Sequence, residues 1–206
     1  MRIVRADTDG ADAAAAVLRD GGIVVVPTDT VYGLAARPTD SGAVSAVYRI
    51  KGRPDGLPLP VLAASEEQVR SLGVAYDDRV RALATRWWPG PLTLAFAFDP
   101  DAPRPSWLDG RDEVAVRVPD HDFLRGLLRR TGVLVVTSAN RHGTPTPRAA
   151  DAVAAALGPE VGLVVDGGLL LEVPSTLVNM SGPDPVVERE GAIGRDAVAA
   201  VLGSAP

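Results

Sequence analysis

Lys51 is the only lysine among 206 residues; the other 20 of the 21 lysines and arginines are arginine. It stands two residues before Arg53 in RIKGRP. A lysine presents a compact ammonium and an arginine a planar fork of donors. Together they suit a polyphosphate, Lys51 on one phosphate and Arg53 bridging others. A helix ending near residue 50 would put both cations at its C-terminus, where the helix dipole favours them, and that is a sufficient structural account by itself. Gly52 and Gly56, with Pro54 and Pro58, describe a tight, exposed loop around the two cations.

Two apolar runs end in hydroxyl-rich clusters. VVVPTDTVYGL brings Thr28, Asp29, Thr30 and Tyr32 after Pro27, and VLVVTSANRHGTPTP brings Thr137, Ser138 and Asn140. Ligands of open α/β sheets bind beyond strand ends, where the loops diverge. The same residue types also make ordinary turns and helix caps. In VAVRVP the period of two puts Val114, Val116 and Val118 on one face and Ala115 and Arg117 on the other. If that second face lines a cleft, Arg117 needs a carboxylate or phosphate partner; if it faces solvent, the residue is trivial.

Other chemistries find less support. Asp120, His121 and Asp122 could hold a metal only if three adjacent side chains converged, whereas metal ligands normally come from spaced positions. Ser138 lies in SAN rather than on a G-x-S-x-G turn, which argues against a hydrolase triad. Neither a G-x-x-x-x-G-K-[ST] loop nor a G-x-G-x-x-G following a strand is present.

The elements that must position these residues follow from periodicity. Strands are predicted over 23–27, 58–63, 91–98, 114–119, 133–138, 162–168, 175–180 and 185–190. Helices are predicted over 13–18, 42–50 (capped by Asp40-Ser41), 66–72, 77–87, 122–130, 149–157 and 195–202. The alternation implies an α/β domain with a mixed sheet, one domain over residues 1–206. The Pro-rich stretch 99–110 reads as a surface loop within it.

A net charge of −5 argues against a surface that embraces phosphate backbones as a whole, though not against a local basic cleft. The absence of cysteine excludes disulfides, thiolate catalysis and zinc-thiolate sites. The first 18 residues carry Asp7, Asp9 and Asp12 without a long apolar run, so they do not read as a signal peptide. No stretch is apolar enough for a membrane span. A soluble, cytoplasmic protein with no membrane partner is expected.

Taken in order, PTDTVYGLA, KGRP with a following PL, WWPGPLTL, VAVRVP, TSANRHGTPTP, PSTLV and REGAI resemble the YrdC/Sua5 family, over residues 20–195. The Lys51/Arg53 and Ser138/Asn140 pairing matches its Lys-x-Arg and Ser-x-Asn signature. The resemblance implies a twisted mixed sheet flanked by helices, with a large concave cationic cleft. It implies an L-threonylcarbamoyladenylate synthase, which joins L-threonine, bicarbonate and ATP to threonylcarbamoyl-AMP and releases pyrophosphate. A separate transferase complex then modifies adenosine 37 of tRNAs that read ANN codons; contact with the tRNA itself is left open. Threonine is implied near Thr30, Arg117, the backbone of Val136, and Ser175. ATP is implied near Lys51, Arg53, Leu57, Ser138, Asn140, Thr146 and Arg189. Lys51 and Arg53 would neutralise charge during catalysis, with Mg²⁺ on the phosphates and no organic cofactor. This chain has Leu57 and Leu62 where family members often carry polar residues, so any contact at Leu57 would be through backbone. Because the chain stops at residue 206, it resembles the short, single-domain branch. A non-catalytic RNA-binding module and a carbamoyl-handling relative are the alternatives.

Overall fold

Runs of valine and leucine extend as strands because their side chains pack well on a pleated, buried surface. The computed structural model describes residues 1–54, 57–171 and 173–203. Its strands are β1 (Arg2–Arg5), β2 (Val24–Val26), β3 (Gly33–Ala36), β4 (Val61–Leu62), β5 (Leu92–Ala97), β6 (Glu113–Arg117), β7 (Leu134–Ser138), β8 (Leu163–Asp166), β9 (Thr176–Asn179) and β10 (Val186–Arg189). The helices are α1 (Thr8–Arg19), α2 (Ser41–Lys51), α3 (Glu66–Arg70), α4 (Asp78–Trp87), α5 (Asp122–Thr131), α6 (Ala150–Leu157) and α7 (Arg195–Leu202). All ten strands join one mixed sheet in the order β1-β8-β2-β3-β7-β4-β6-β5-β9-β10.

Side-chain alternation explains where the core sits and where it stops. Val25, Leu34, Val135, Val61, Val116, Leu94 and Val178 share one sheet face, covered by Val47 of α2, Leu83 of α4, Val153 of α6 and Val198 of α7. On the other face, Val24, Val26, Ala35, Val136 and Leu62 are covered by Ala14 and Leu18 of α1 and by Leu124, Leu127 and Leu128 of α5. No residue of β6, β5 or β9 joins that second cluster among the described residues. On that face those strands present Ala115, Arg117, Thr93 and Leu177, paired across the sheet as Ala95 with Ala115 and Thr93 with Leu177. The helical layer therefore covers only part of this face, and the remainder is the floor of a cleft.

Local signals set the helix ends. Asp7, Asp40 and Asp77 each accept a hydrogen bond from the third following backbone N–H at 2.9 Å, satisfying a donor the helix leaves unpaired. Gly52 closes α2 with φ 61°, a left-handed conformation natural only for glycine.

Two strands are additional to those predicted, and a third is shorter than predicted. β3 has the sequence GLAA, without β-branched residues, and β1 is the four-residue edge RIVR. The expected strand over 58–63 shortens to two residues, since Pro58 and Pro60 have no N–H to give a ladder. Gly33 in β3 is dictated by its neighbour: a Cβ there would lie 2.5 Å from Cγ1 of Val136. The predicted loop over 99–110 is present, with a single 3₁₀ turn at Ser106–Leu108.

Candidate functional site

The cleft encloses about 460 Å³, within the range of small-molecule sites. Its floor comes from Leu62, Thr93, Ala115, Arg117, Val136 and Leu177, and its rim from the loops after β2, α2 and β7 together with Ser175 and Arg189. The charged side chains among its lining residues are Arg53, Arg117 and Arg189, with no carboxylate. A wider hollow of about 720 Å³ lies beside α1 and α5 and shares no lining residue with the cleft. Two of its cations, Arg19 and Arg130, stand in the last turns of those helices, where the dipole accounts for them.

Arg117 is the most constrained cation. It is buried, and Nε donates to the Gly90 carbonyl at 2.9 Å, one terminal nitrogen to Thr30 Oγ1 at 2.8 Å and the other to Asp29 Oδ1 at 2.5 Å. The cleft reading of this residue is the one the fold realises. A guanidinium carries five N–H groups. One on each terminal nitrogen is left without a protein acceptor among the described residues. Thr30 is itself held by Thr28, whose Oγ1 accepts from the backbone N–H of Thr30 at 3.0 Å and of Val31 at 3.1 Å.

Ser175 and Arg189 form the opposite side. Arg189 donates twice to the Ser175 carbonyl, at 3.1 and 2.9 Å, and once to its hydroxyl at 3.0 Å. The Ser175 hydroxyl also meets Thr93 Oγ1 at 2.8 Å. Burial, and then the charge of Arg117, lower the pKa of Arg189.

The structure corrects the picture of Lys51. It is buried rather than displayed on an exposed loop, and it does not line the cleft. Its ammonium donates to the carbonyls of Ser138 at 2.5 Å and Asn140 at 2.8 Å, with the Ser138 hydroxyl at 3.5 Å. Burial, and then the charge of Arg53, lower its pKa to about 8. Asn140 extends the same brace: its amide donates to the carbonyls of Arg141 and Thr144 at 2.8 and 2.6 Å, and its oxygen accepts from Thr146 Oγ1 at 3.0 Å. The residues from Ser138 to Thr146 are thus held by the side chains of Lys51 and Asn140, with Thr144 and Thr146 adding hydroxyl bonds within the loop.

Arg53 lies half-buried on the cleft wall, folded back so that Nε donates to the Leu57 carbonyl at 3.2 Å and a terminal nitrogen to that of Pro58 at 3.1 Å. Leu57 is exposed and outside the lining, and its carbonyl also accepts from Tyr48 Oη at 3.0 Å. Gly56, expected to shape this loop, lies outside the described residues. The cleft therefore brings together Arg53, Thr30, Arg117, Val136, Ser138, Asn140, Thr146, Ser175 and Arg189, and leaves Lys51 and Leu57 off its surface.

Thr93, the one hydroxyl within LTLAFA, also lines the cleft, a position not among those expected from the sequence. His121 caps α5, its Nδ1 accepting from Leu124 N at 3.4 Å, while Asp122 pairs with Arg125 at 2.8 Å. Among the described residues no three His, Asp or Glu side chains converge as a metal site would require. No helix among them is long and apolar enough to cross a membrane.

A mixed α/β sheet with part of one face bare above three arginines defines a cationic small-molecule cleft. The chain belongs to the Sua5/YciO/YrdC family, whose model, described as "Telomere recombination", matches residues 16–191. It is 38% identical over 192 residues to the threonylcarbamoyl-AMP synthase of Bacillus subtilis (strain 168), covering 92% of this chain and 56% of that protein. It is 36% identical over 197 residues to a putative threonylcarbamoyl-AMP synthase of Mycobacterium tuberculosis (strain ATCC 25618 / H37Rv), covering 94% and 89%. The crystal structure of P. abyssi Sua5 complexed with L-threonine superposes with a TM-score of 0.87 at 34% identity, covering 99% of this chain and 60% of that one. The chain thus spans little more than half the length of some of its relatives.

Proposed function

We propose that the chain is an L-threonylcarbamoyladenylate synthase. The observation that carries the reading is the pair of N–H groups, one on each terminal nitrogen of the buried Arg117, that have no protein acceptor among the described residues. A bidentate carboxylate needs that donor set. The relatives named threonylcarbamoyl-AMP synthase, and the Sua5 neighbour holding L-threonine, support threonine as the ligand that supplies it.

In this reading Arg117 takes the threonine carboxylate, with Thr30, the Val136 backbone and Ser175 around the amino acid. ATP lies along Arg53, Ser138, Asn140, Thr146 and Arg189. The lining offers cations and no carboxylate, so Mg²⁺ would be held by ATP rather than by protein ligands and would supply further charge neutralisation. The free threonine amine attacks bicarbonate, forming the N-carboxy compound and releasing water. The new carboxylate oxygen then attacks the α-phosphorus, and pyrophosphate leaves. Arg53 and Arg189 neutralise charge on the phosphates, while Lys51 acts by holding the carbonyls of Ser138 and Asn140. Positioning and charge neutralisation supply the rate enhancement, and no protein nucleophile is needed. The product would pass to a transferase that modifies tRNA.

The test is pyrophosphate release from ATP by the purified protein with Mg²⁺ and bicarbonate. Release should require L-threonine and be lost with glycine or serine. Release without an amino acid requirement, or none at all, would overturn the reading. Carbamoyl phosphate replacing bicarbonate would redirect it to carbamoyl handling.

A further inference from the structure

Asp29 contributes no surface to the cleft, yet it holds the cation that does. Its carboxylate lies 2.5 Å from a terminal nitrogen of Arg117, and the two side chains are 13% and 6% exposed. The backbone around it is fixed by Thr28, whose hydroxyl accepts from two N–H groups and donates to the Val31 carbonyl at 2.7 Å. Replacing a buried ion pair by apolar groups is often neutral for stability. Stability is thus a weak reason for this pair to exist.

Its geometry offers a better one. Three acceptors, on Gly90, Thr30 and Asp29, each take one N–H from a different nitrogen of the guanidinium. The plane of the fork is thereby set from three sides. Asp29 is also the only carboxylate hydrogen-bonded to Arg117 among the described residues, and the charge of Arg117 bears on Arg189 across the cleft. Without Asp29 the guanidinium would lose one of three anchors and its counter-charge together.

We infer that Asp29 is a positioning residue for amino-acid recognition: it locks the Arg117 fork in the orientation that accepts a substrate carboxylate. The inference rests on the reading of Arg117 given above. It assigns no contact between Asp29 and the substrate. Misplacing a binding group by about 1 Å can cost on the order of a hundredfold, so a rise of roughly ten- to a hundredfold in the dissociation constant for L-threonine is expected on removal of the carboxylate.

The experiment is calorimetric titration of L-threonine, and separately of ATP, into the wild type, Asp29→Asn and Asp29→Ala. Both variants should lose threonine affinity while the ATP constant stays unchanged. Added formate should restore part of the threonine affinity of Asp29→Ala by refilling the carboxylate position, an effect that a general structural defect would not produce. Should Asp29→Ala fail to fold, Asp29→Asn, of the same size, carries the test. Wild-type or tighter threonine binding by Asp29→Asn, or an equal loss of ATP binding, would overturn the positioning role alone. No threonine binding by the wild type would overturn the synthase reading, and this inference with it.

Discussion

The side-chain amine of Lys51 donates to the backbone carbonyl of Asn140 at 2.8 Å, joining the end of α2 to a loop 89 residues further along the chain. The Ser138 carbonyl, 2.5 Å from the same nitrogen, makes the arrangement convergent. Two carbonyl oxygens aimed at one point suit a small tetrahedral donor, and a planar fork on a longer stem cannot occupy that point. This is the requirement that singles out a lysine in a chain otherwise furnished with arginine. Its ammonium braces the loop that carries the cleft residues Ser138 and Asn140.

Lys51→Arg should therefore leave carbonyls without donors, at a cost of about 1–3 kcal/mol for each buried group unpaired. A lowered melting temperature together with a raised KM for ATP is expected, since the loop bearing Ser138 and Asn140 shifts. Unchanged values of both would remove Lys51 from this role.

The pH response of Lys51 separates stability from activity. Its folded-state pKa is lowered to about 8 from the ordinary 10.5, so between those values the unfolded chain binds more protons than the native state. The contribution of this group to stability is smallest below pH 8 and rises as pH increases from about 8 to 10.5. Activity should move the other way, falling above about pH 8 as the ammonium loses the proton that strengthens its hold on the loop. Urea unfolding and pyrophosphate release, each followed from pH 7 to 10, check the two signs; comparison with Lys51→Met isolates this group from other titrations.

Arg117→Ala should raise the KM for L-threonine far more than that for ATP. The variant also leaves the partly buried Asp29 carboxylate without its partner, which lowers stability. Binding is therefore best measured at low temperature with thermal melts alongside. A rise confined to the ATP constant would reverse the assignment of substrates to the two sides of the cleft.

Asn140→Asp replaces an amide that donates to the carbonyls of Arg141 and Thr144 by a carboxylate that repels them. The loop to Thr146 should loosen, seen as faster amide exchange over residues 141–146 and weaker ATP binding, with threonine binding retained. Equal exchange in the variant and the wild type would show that the loop is held by other means.

Gly33→Ala would place a methyl group 2.5 Å from Val136 Cγ1. Overpacking of this kind costs about 1–3 kcal/mol. Val136→Ala in the same chain should recover much of the loss in a thermal melt, because it removes the atom that clashes. A double variant no more stable than Gly33→Ala alone would point to backbone strain instead.

Most of the elements, and many of the residues that line the cleft, are legible in the order of residues along the chain. Valine runs, the cap at Asp40 and the breaks at proline are local signals, set by each residue's own backbone preferences and by contacts within one helical turn. The ordered motif blocks likewise carried the family and most of the residues that meet in the cleft. β3 was not legible, because Gly33, Ala35 and Ala36 have no strand-favouring side chains and extend only where β2 and β7 flank them. The same limit hid the roles of two cations. Nothing near Arg117 in the chain names Asp29, 88 residues away, as its partner, and nothing near Lys51 names the two carbonyls it holds. Whether a charged side chain reaches for a ligand or braces the loop that does depends on which acceptors surround it after burial, and only the order of strands in the sheet decides that.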